Sequence, residues 1–285
     1  MSIIVENVSY TYMPGTTFAV SALDNVSLTI QDGEFVGIIG PTGSGKSTLV
    51  QHLNGLLRPT SGRVIVDGID LSAKRVDLKK VRRHVGVIFQ YPEHQLFEET
   101  VYKDIAFGPK NLGVSDDEIE RRVYEAIAQV GLGKEILGRS PFELSGGQMR
   151  RVAIAGVLAM KPTTLVLDEP AAGLDPQGRD EILSHVRDLH QQGNLTVILV
   201  SHSMEDVARL VSRVIVMDKG RIFLEGTPRE VFRKKDDLKR IGLDVPQVVQ
   251  LVQKLKDKGI DIRTDVLTID EAKSEILRIL RRSTQ

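Results

Sequence analysis

The chain has 285 residues, which is enough for one large domain with an appendage or for two modest domains. Its 38 lysines and arginines balance 38 aspartates and glutamates, so no net charge attracts the protein to nucleic acid or anionic lipid. The absence of cysteine excludes disulfides and thiolate metal sites and is compatible with a reducing cytosol.

Membrane insertion is not expected from the sequence. The first residues, MSIIVENVSY, lack the basic start and apolar core of a secretory signal. The longest apolar runs, such as TVILVS, are far shorter than the ~20 residues that a membrane helix needs. We therefore expect a soluble protein that reaches a membrane only through a partner.

The first two thirds of the chain predict an α/β core. Residues 2–12 and 20–30 alternate apolar and polar side chains, which is typical of half-buried strands. From 91 to about 160 the pattern becomes helical, and Ser115 with Glu118 predicts a capping box. Continuously apolar runs, as in buried parallel strands, are EFVGIIG, HVGVIFQ, TTLVLDE and LTVILVS. We predict a mixed sheet with helices on both faces and a helical subdomain inserted at about 91–160.

The end of the chain has a different composition. VIVMDKGRIFLEG predicts a hairpin with its turn at residues 218–220, and RKKDDLKR predicts a solvated charged segment. Two amphipathic helices follow; Val245, Val248, Val249, Val252 and Leu255 form the apolar stripe of the first, and Thr268 with Glu271 caps the second. We predict a domain at 1–228 and a helical extension at 229–285. The extension either packs on its own domain or dimerises, and we favour dimerisation because it follows a complete core.

A phosphate-binding pattern lies between a predicted buried strand and a predicted helix. GPTGSGKST matches G-x-x-x-x-G-K-[ST], and its glycines let the backbone curl so that N–H groups point at phosphate oxygens. Lys46 adds a charge for the β- and γ-phosphates, and Ser47 supplies a hydroxyl for Mg²⁺. The predicted nucleotide-binding residues are Gly40, Pro41, Thr42, Gly43, Ser44, Gly45, Lys46, Ser47 and Thr48.

Polar side chains follow three other predicted strands. TLVLDEP ends in Asp168, expected to hold Mg²⁺ through its water shell, and Glu169, expected to polarise the attacking water. His202 follows VILVS and is a candidate γ-phosphate contact. Gln90 is predicted to end the strand VGVIFQ, and its neutral amide can reach Mg²⁺ or the attacking water. Alone each residue is unremarkable; beside a phosphate loop they predict a hydrolytic site.

One helix start contains no acid, base or thiol. In ELSGGQMRRVAIAG, Gly146 and Gly147 precede an apolar helical repeat, and a helix interior is destabilised by about 1 kcal/mol for each glycine. The two glycines are therefore expected before the helix or in its first turn. Ser145 offers a hydroxyl, the glycines offer unobstructed N–H groups, and the helix adds a partial positive charge.

The order of phosphate loop, Gln90, LSGGQ, LVLDEP with AGLDP, and His202 resembles the nucleotide-binding subunit of ABC transporters over residues 1 to about 228. The resemblance implies an ABC-type P-loop ATPase fold. It also implies ATP and Mg as ligands, and two ATP molecules held across a pair of subunits. The signature of one subunit then contacts ATP on the other through Leu144, Ser145, Gly146, Gly147 and Gln148.

The same resemblance assigns two further roles by position. Tyr12 corresponds to the aromatic residue that stacks on adenine, and Phe18 is a second candidate in the same loop. Asp175 corresponds to the aspartate of the loop that crosses the dimer. The sequence departs from many members at 171–173, where Ala-Ala-Gly replaces Thr, Ser and Ala and removes two hydroxyls.

A narrower resemblance is to the ATPases of energy-coupling factor importers, carried by FQYPEHQLFEETVYKDIAFGP, LSGGQMRRVAIAGVLAM and the helical tail. It implies bacterial uptake of vitamins or transition-metal ions at the cytoplasmic face of the membrane. The implied partners are an identical or paralogous ATPase, a transmembrane coupling protein and a membrane substrate-binding protein. The coupling protein inserts basic helices into a groove, whose expected acidic walls are Glu93, Glu98, Glu99 and Asp104.

Two alternatives remain at this point. A soluble ABC-type ATPase acting on DNA or ribosomes is disfavoured, because the chain has one cassette, no long coiled coil and no net basic charge. The second alternative, the ATPase of an ordinary importer or exporter, is disfavoured because it does not explain the segment YPEHQLFEET.

Overall fold

The computed structural model describes residues 2–193 and 195–283. Its strands are β1 (Ile3–Tyr12), β2 (Val20–Ile30), β3 (Phe35–Ile39), β4 (Ser61–Val66), β5 (Ile69–Asp70), β6 (Val85–Ile88), β7 (Thr164–Asp168), β8 (Thr196–Val200), β9 (Arg213–Asp218) and β10 (Arg221–Gly226). They form an antiparallel sheet in the order β2-β1-β4-β5 and a second sheet in the order β10-β9-β3-β8-β7-β6. The second sheet is parallel except for the β9–β10 hairpin, whose turn falls where it was predicted.

Helices connect and cover the two sheets. The helices Val101–Asn111, Asp116–Gln129 and Gly146–Leu158 fall within the predicted helical stretch and pack against one another. The helices are α1 (Lys46–Leu53), α2 (Leu78–His84), α3 (Val101–Asn111), α4 (Asp116–Gln129), α5 (Gly146–Leu158), α6 (Pro176–Gln192), α7 (Met204–Leu210), α8 (Pro228–Arg233), α9 (Lys235–Arg240), α10 (Gln247–Asp257) and α11 (Ile269–Ser283).

The parallel strands are apolar throughout because both of their faces are covered. Every residue of β3, β7 and β8 is buried. Along β3, Val36 and Ile38 belong to the core shared with the antiparallel sheet, whereas Phe35 and Ile39 belong to the core under the helices. This alternation is what a strand between two layers requires.

The parallel register brings four chain segments to one edge of the sheet. Strands β3, β6, β7 and β8 run in the same direction, so their carboxyl ends lie together. Polar segments follow each of these ends, beginning at Gly40, Phe89, Glu169 and Ser201. An open α/β sheet offers its ligand crevice at this edge.

The capping box predicted at Ser115 and Glu118 is wrong in its side-chain bonds. Ser115 is the N-cap residue of α4, but its side chain makes no cap hydrogen bond. The carboxylate of Glu118 instead accepts hydrogen bonds from Arg121 and Arg122 on the same helix. These charge-assisted bonds are stronger than a bond to a neutral backbone N–H, and they lower the pKa of Glu118 to about 2.

The charged segment after the hairpin is less solvated than predicted. It forms α9, and Leu238 within it is fully buried in the core that also holds Phe232 of α8. Val252 of α10 and Ala272 of α11 belong to a separate small cluster. No helix among the described residues is long and apolar enough to cross a membrane.

Candidate active site

The phosphate loop joins β3 to α1 and is shaped by close backbone contacts. A Cβ atom on Gly40 would lie 2.4 Å from the carbonyl oxygen of Met217. At Gly45, φ is 100° and a Cβ atom would lie 2.4 Å from the carbonyl oxygen of Ala22. Only glycine fits either position, so the curled path of the loop depends on them. Pro41, Thr42 and Gly43 form its apex, with Thr42 and Gly43 exposed.

The donors of this loop have few partners in their own chain. Gly45 is the N-cap of α1, so no side-chain hydrogen bond caps this helix. The hydroxyl of Ser44 is buried and has no hydrogen-bond partner among the described residues. The Lys46 ammonium donates to the carbonyl oxygens of Gly40 at 2.8 Å and Pro41 at 3.0 Å. Uncapped N–H groups at a helix start beside a buried ammonium form a site for an anion.

Asp168 and Glu169 lie at the end of β7, as the sequence predicts. Asp168 is 8% exposed and accepts a hydrogen bond from Ser47, while burial raises the pKa of its carboxyl. Glu169 has a φ of 53°, a left-handed conformation that is uncommon for glutamate, and its N–H donates to the carbonyl of Val200 at 3.0 Å. Such strain persists where the surrounding structure enforces it and often marks a functional residue.

The surroundings of Glu169 favour the protonated form of its carboxyl. Burial, and then the charge of Asp168, raise the pKa of its carboxyl to about 7. Its Oε1 is buried without a hydrogen-bond partner and lies 3.4 Å from Nε2 of His202. Burial also lowers the pKa of His202, and Lys46 lowers it further. A carboxylate with a pKa near neutrality can accept a proton from water and release it again.

Gln90 and Tyr12 lie at the borders of the site. Strand β6 ends at Ile88, so Gln90 is two residues beyond the strand rather than at its end, and it is exposed. The hydroxyl of Tyr12 lies 3.2 Å from Oγ1 of Thr48, which places its ring beside the phosphate-loop helix. Phe18 is 75% exposed. The contact with Thr48 favours Tyr12 over Phe18 as the aromatic residue at this nucleotide site.

The signature forms the start of α5, with both glycines in its first turn as predicted. Ser145 and Gln148 make a full capping box, in which each side chain accepts a bond from the other's backbone N–H. A Cβ atom on Gly146 or on Gly147 would meet nothing within 4 Å, and neither residue has a positive φ. The described chain itself therefore does not require glycine at these positions, and the space beside them is open to a group that approaches from outside.

Of the remaining predicted residues, Leu144 lies in the core and Asp175 lies at the start of α6. Leu144 is 7% exposed and anchors the signature in the helical core. Asp175 is the N-cap residue of α6, where its carboxylate accepts a bond from the N–H of Gly178 at 2.7 Å.

A groove lies beside the segment that follows Gln90, but its walls differ from the expectation. Only Asp104 of the four expected carboxylates lines this cavity of about 430 Å³. Glu93 is paired with Arg150, and Glu99 with Lys103. Most of the lining is apolar, with two basic residues at one side; it includes Lys79, Arg82, Leu96, Phe97, Asp104, Phe107 and Met160.

The donors present fit a magnesium ion that also binds phosphate. Ser47, Asp168 and Gln90 offer hydroxyl, carboxylate and amide oxygens, the hard ligands that Mg²⁺ prefers. The described residues contain no cluster of three or more His, Cys, Asp or Glu side chains that could hold a metal. A magnesium ion held here would take its remaining ligands from water and nucleotide oxygens.

Comparisons with known proteins agree with this geometry. The ABC transporter family matches residues 23–172. Over 281 residues the chain is 58% identical to an energy-coupling factor transporter ATP-binding protein EcfA2 of Caldanaerobacter subterraneus, covering 99% of this chain and 98% of the relative. A protein of the same name from Symbiobacterium thermophilum is 60% identical, covering 98% and 97%.

Two solved structures are similar. One is cbiO1 from Clostridium perfringens, described as part of the ABC transporter complex cbiONQ, with a TM-score of 0.73, 40% identity, and coverage of 88% of this chain and 98% of that one. The other is the dimeric ATP-binding cassette MJ0796 in a post-hydrolysis state bound to ADP and phosphate, with a TM-score of 0.71, 32% identity, and coverage of 79% and 98%.

The chain belongs to the ABC transporter family and is an ATP-binding ATPase of that class. Within the class it is similar, over nearly its whole length, to proteins named as ATP-binding subunits of energy-coupling factor transporters.

Proposed function

We propose that this protein is the ATP-hydrolysing subunit of a bacterial energy-coupling factor importer of vitamins or transition-metal ions. The observation that carries the proposal is the unobstructed glycine start of α5, in a chain that also carries a phosphate loop, Asp168, Glu169 and His202 at one edge of its sheet. The near full-length similarity to energy-coupling factor subunits supports the transporter class over a soluble ATPase that acts on DNA or ribosomes.

In this proposal ATP binds with its phosphates in the loop at residues 40–48. Lys46 exchanges its bonds to Gly40 and Pro41 for phosphate oxygens, and the free N–H groups at the start of α1 donate to the same phosphates. Tyr12 stacks on adenine. Ser47 and Gln90, together with a water shell on Asp168, would hold magnesium, which would neutralise charge at the β- and γ-phosphates.

Hydrolysis then depends on the pair Glu169 and His202. Glu169 accepts the proton of the attacking water, since its raised pKa is close to the working pH. His202, 3.4 Å from Glu169, contacts the γ-phosphate and holds the water in line. Strand ends position both side chains, so the reacting geometry is set by the sheet.

The site is completed by a second ATPase subunit, identical or paralogous. Ser145, Gly146, Gly147 and Gln148 of one subunit contact the nucleotide of the other, and Asp175 lies in the loop that crosses between them. ATP binding closes the pair, and hydrolysis reopens it. The helical extension after residue 228, with Leu251, Ile269 and Leu277 exposed, adds to the contact between subunits.

The membrane partners are a transmembrane coupling protein and a membrane substrate-binding protein, so the subunit lies peripherally at the cytoplasmic face. The groove beside the Gln90 segment receives the coupling protein. Phe97 and Phe107, in edge contact at a centroid distance of 4.9 Å, form its apolar floor, and Asp104 offers a carboxylate to a basic helix. No nucleic acid takes part.

The test is affinity purification of the tagged chain from bacterial membranes, followed by identification of the co-purifying chains. We expect two membrane proteins, with a second ATPase if the partner is a paralogue, and ATP turnover in the complex well above that of the isolated chain. Recovery of ribosomal or DNA-bound proteins in place of membrane proteins would contradict the transporter assignment.

A further inference from the structure

Arg150 is a buried arginine of α5 that the sequence analysis did not single out. It lies five residues after the signature Ser145 and is 2% exposed. Its guanidinium pairs with both oxygens of Glu93, from Nε to Oε2 at 2.9 Å and from Nη2 to Oε1 at 2.7 Å. Glu93 lies three residues after Gln90, so this bidentate pair ties the signature helix to the Gln90 segment.

The same guanidinium also binds a third segment. Its Nη1 donates to the carbonyl oxygens of Pro170 at 3.3 Å and Ala172 at 2.8 Å. Both carbonyls belong to the loop that begins after Glu169 and ends at Asp175. One buried side chain thus makes four hydrogen bonds that join three segments of the nucleotide site.

The aromatic ring of Tyr91 lies beside the guanidinium of Arg150. Its ring centroid lies 6.0 Å from the guanidinium carbon of Arg150, within the range of a cation–π contact. The ring also lies 3.5 Å from the position that a Cβ atom of Gly173 would take. The residue after Gln90 therefore lies next to both Arg150 and the loop that Arg150 holds.

We propose that Arg150 is a positioning residue that couples the Gln90 segment and the signature helix to the loop carrying Asp175. A lysine could not replace it, because only the planar fork binds a carboxylate bidentately while donating to two carbonyls. A shift of the Gln90 segment pulls on Glu93 and therefore moves α5 and the 170–172 carbonyls together. The inference rests on the proposed function only for the partner-facing roles of the signature and of Asp175.

The first experiment measures ATP turnover of the full complex with Arg150→Gln, Glu93→Gln and the double variant. We expect each single variant to lower kcat at least about tenfold while the KM for ATP changes less than about twofold, since the hydrogen-bond partners of Arg150 lie outside residues 40–48. The double variant should lose no more than the worse single variant, because both remove one interaction.

The matched control is Arg122→Gln. Arg122 is also mostly buried, pairs with Glu118 and donates to the carbonyl of Ala159, but these contacts stay within the helical stretch. It should unfold at a slightly lower temperature and turn over ATP within about twofold of the wild type. Wild-type kcat in Arg150→Gln, a loss confined to KM, or additive losses in the double variant would each overturn the proposal.

Hydrogen exchange of the nucleotide-free chain gives a readout that does not depend on transport or turnover. Glu93→Gln and Arg150→Lys, which keep the size and polarity of each side chain, should speed exchange at residues 92–95 and 170–174 and leave β7 unchanged. These two variants also decide the question if Arg150→Gln does not fold. Unchanged exchange in both segments would refute the coupling, whereas an inactive wild-type complex would count against the proposed function instead.

Discussion

Glu169 is the residue whose chemistry is most constrained by its surroundings. Its carboxylate is largely buried beside Asp168, which raises its pKa from 4.5 to about 7. Between these two pH values the folded protein keeps a proton that the unfolded chain releases, so the stability of the fold decreases as the pH rises. In the proposed mechanism the ionised carboxylate accepts the proton of the attacking water.

Replacement of Glu169 by glutamine should therefore stabilise the nucleotide-free protein at high pH. We expect a gain of about 2–3 kcal/mol at pH 8, since one pKa unit corresponds to about 1.4 kcal/mol. The gain should become smaller at pH 5.5, where the wild-type residue is mostly protonated. Urea unfolding of both proteins at the two pH values measures it, and a gain that does not change with pH would contradict the raised pKa.

Single residues differ in how far the sequence alone could reveal them. The phosphate loop, Asp168 and Glu169 carry local patterns, because strand ends and a helix start dictate their residue types. Arg150 carries no such pattern: its partners Glu93 and Ala172 lie 57 residues before it and 22 residues after it in the chain. Only the packing of α5 against both segments reveals its role.

At the scale of elements, different features of helix α5 serve the fold and the nucleotide site. Its capping box satisfies the helix, whereas the open space around Gly146 serves no contact within the described chain. An aspartate at a first-turn position is favourable for a helix, because it complements the macrodipole. The same charge facing a γ-phosphate is repulsive.

The substitution Gly146→Asp should therefore leave the fold and ATP binding nearly unchanged while it reduces turnover by at least about a hundredfold. A fluorescent ATP analogue measures binding, and phosphate release by the complex measures turnover. Gly138→Asp is the matched control, because Gly138 is also exposed with nothing within 4 Å of a Cβ position. Normal turnover in Gly146→Asp, or an equal loss in Gly138→Asp, would refute the signature assignment.

The elements that sequence patterns described least well are those decided by competition or by distant packing. The box at Ser115 fails because Arg121 and Arg122 take the carboxylate that capping would need. The segment containing Leu238 looks solvated in the sequence, but one leucine among seven charged residues is enough to dock α9 on the main core. The strands of the parallel sheet were predictable because continuous apolar runs have few other uses.

At the scale of the whole molecule, two faces of the chain each carry part of a nucleotide site. One face carries the phosphate loop, His202 and the carboxyl of Glu169 with its raised pKa. The other face carries the glycine start of α5, where Cβ positions would meet no described atom within 4 Å. In the proposed function each face alone binds or contacts a nucleotide, and a pair of subunits encloses it. ATP would then be both the substrate and part of the interface.

The most direct test is the molar mass in solution of the Glu169→Gln protein, measured by light scattering with MgATP and with MgADP. Two samples are measured: the chain alone, and the chain mixed with any ATPase that co-purifies with it. We predict that in at least one of these two samples the mass doubles with MgATP and returns to that of a single chain with MgADP. A single-chain mass at saturating ATP in both samples, together with wild-type turnover unaffected by dilution, would contradict it.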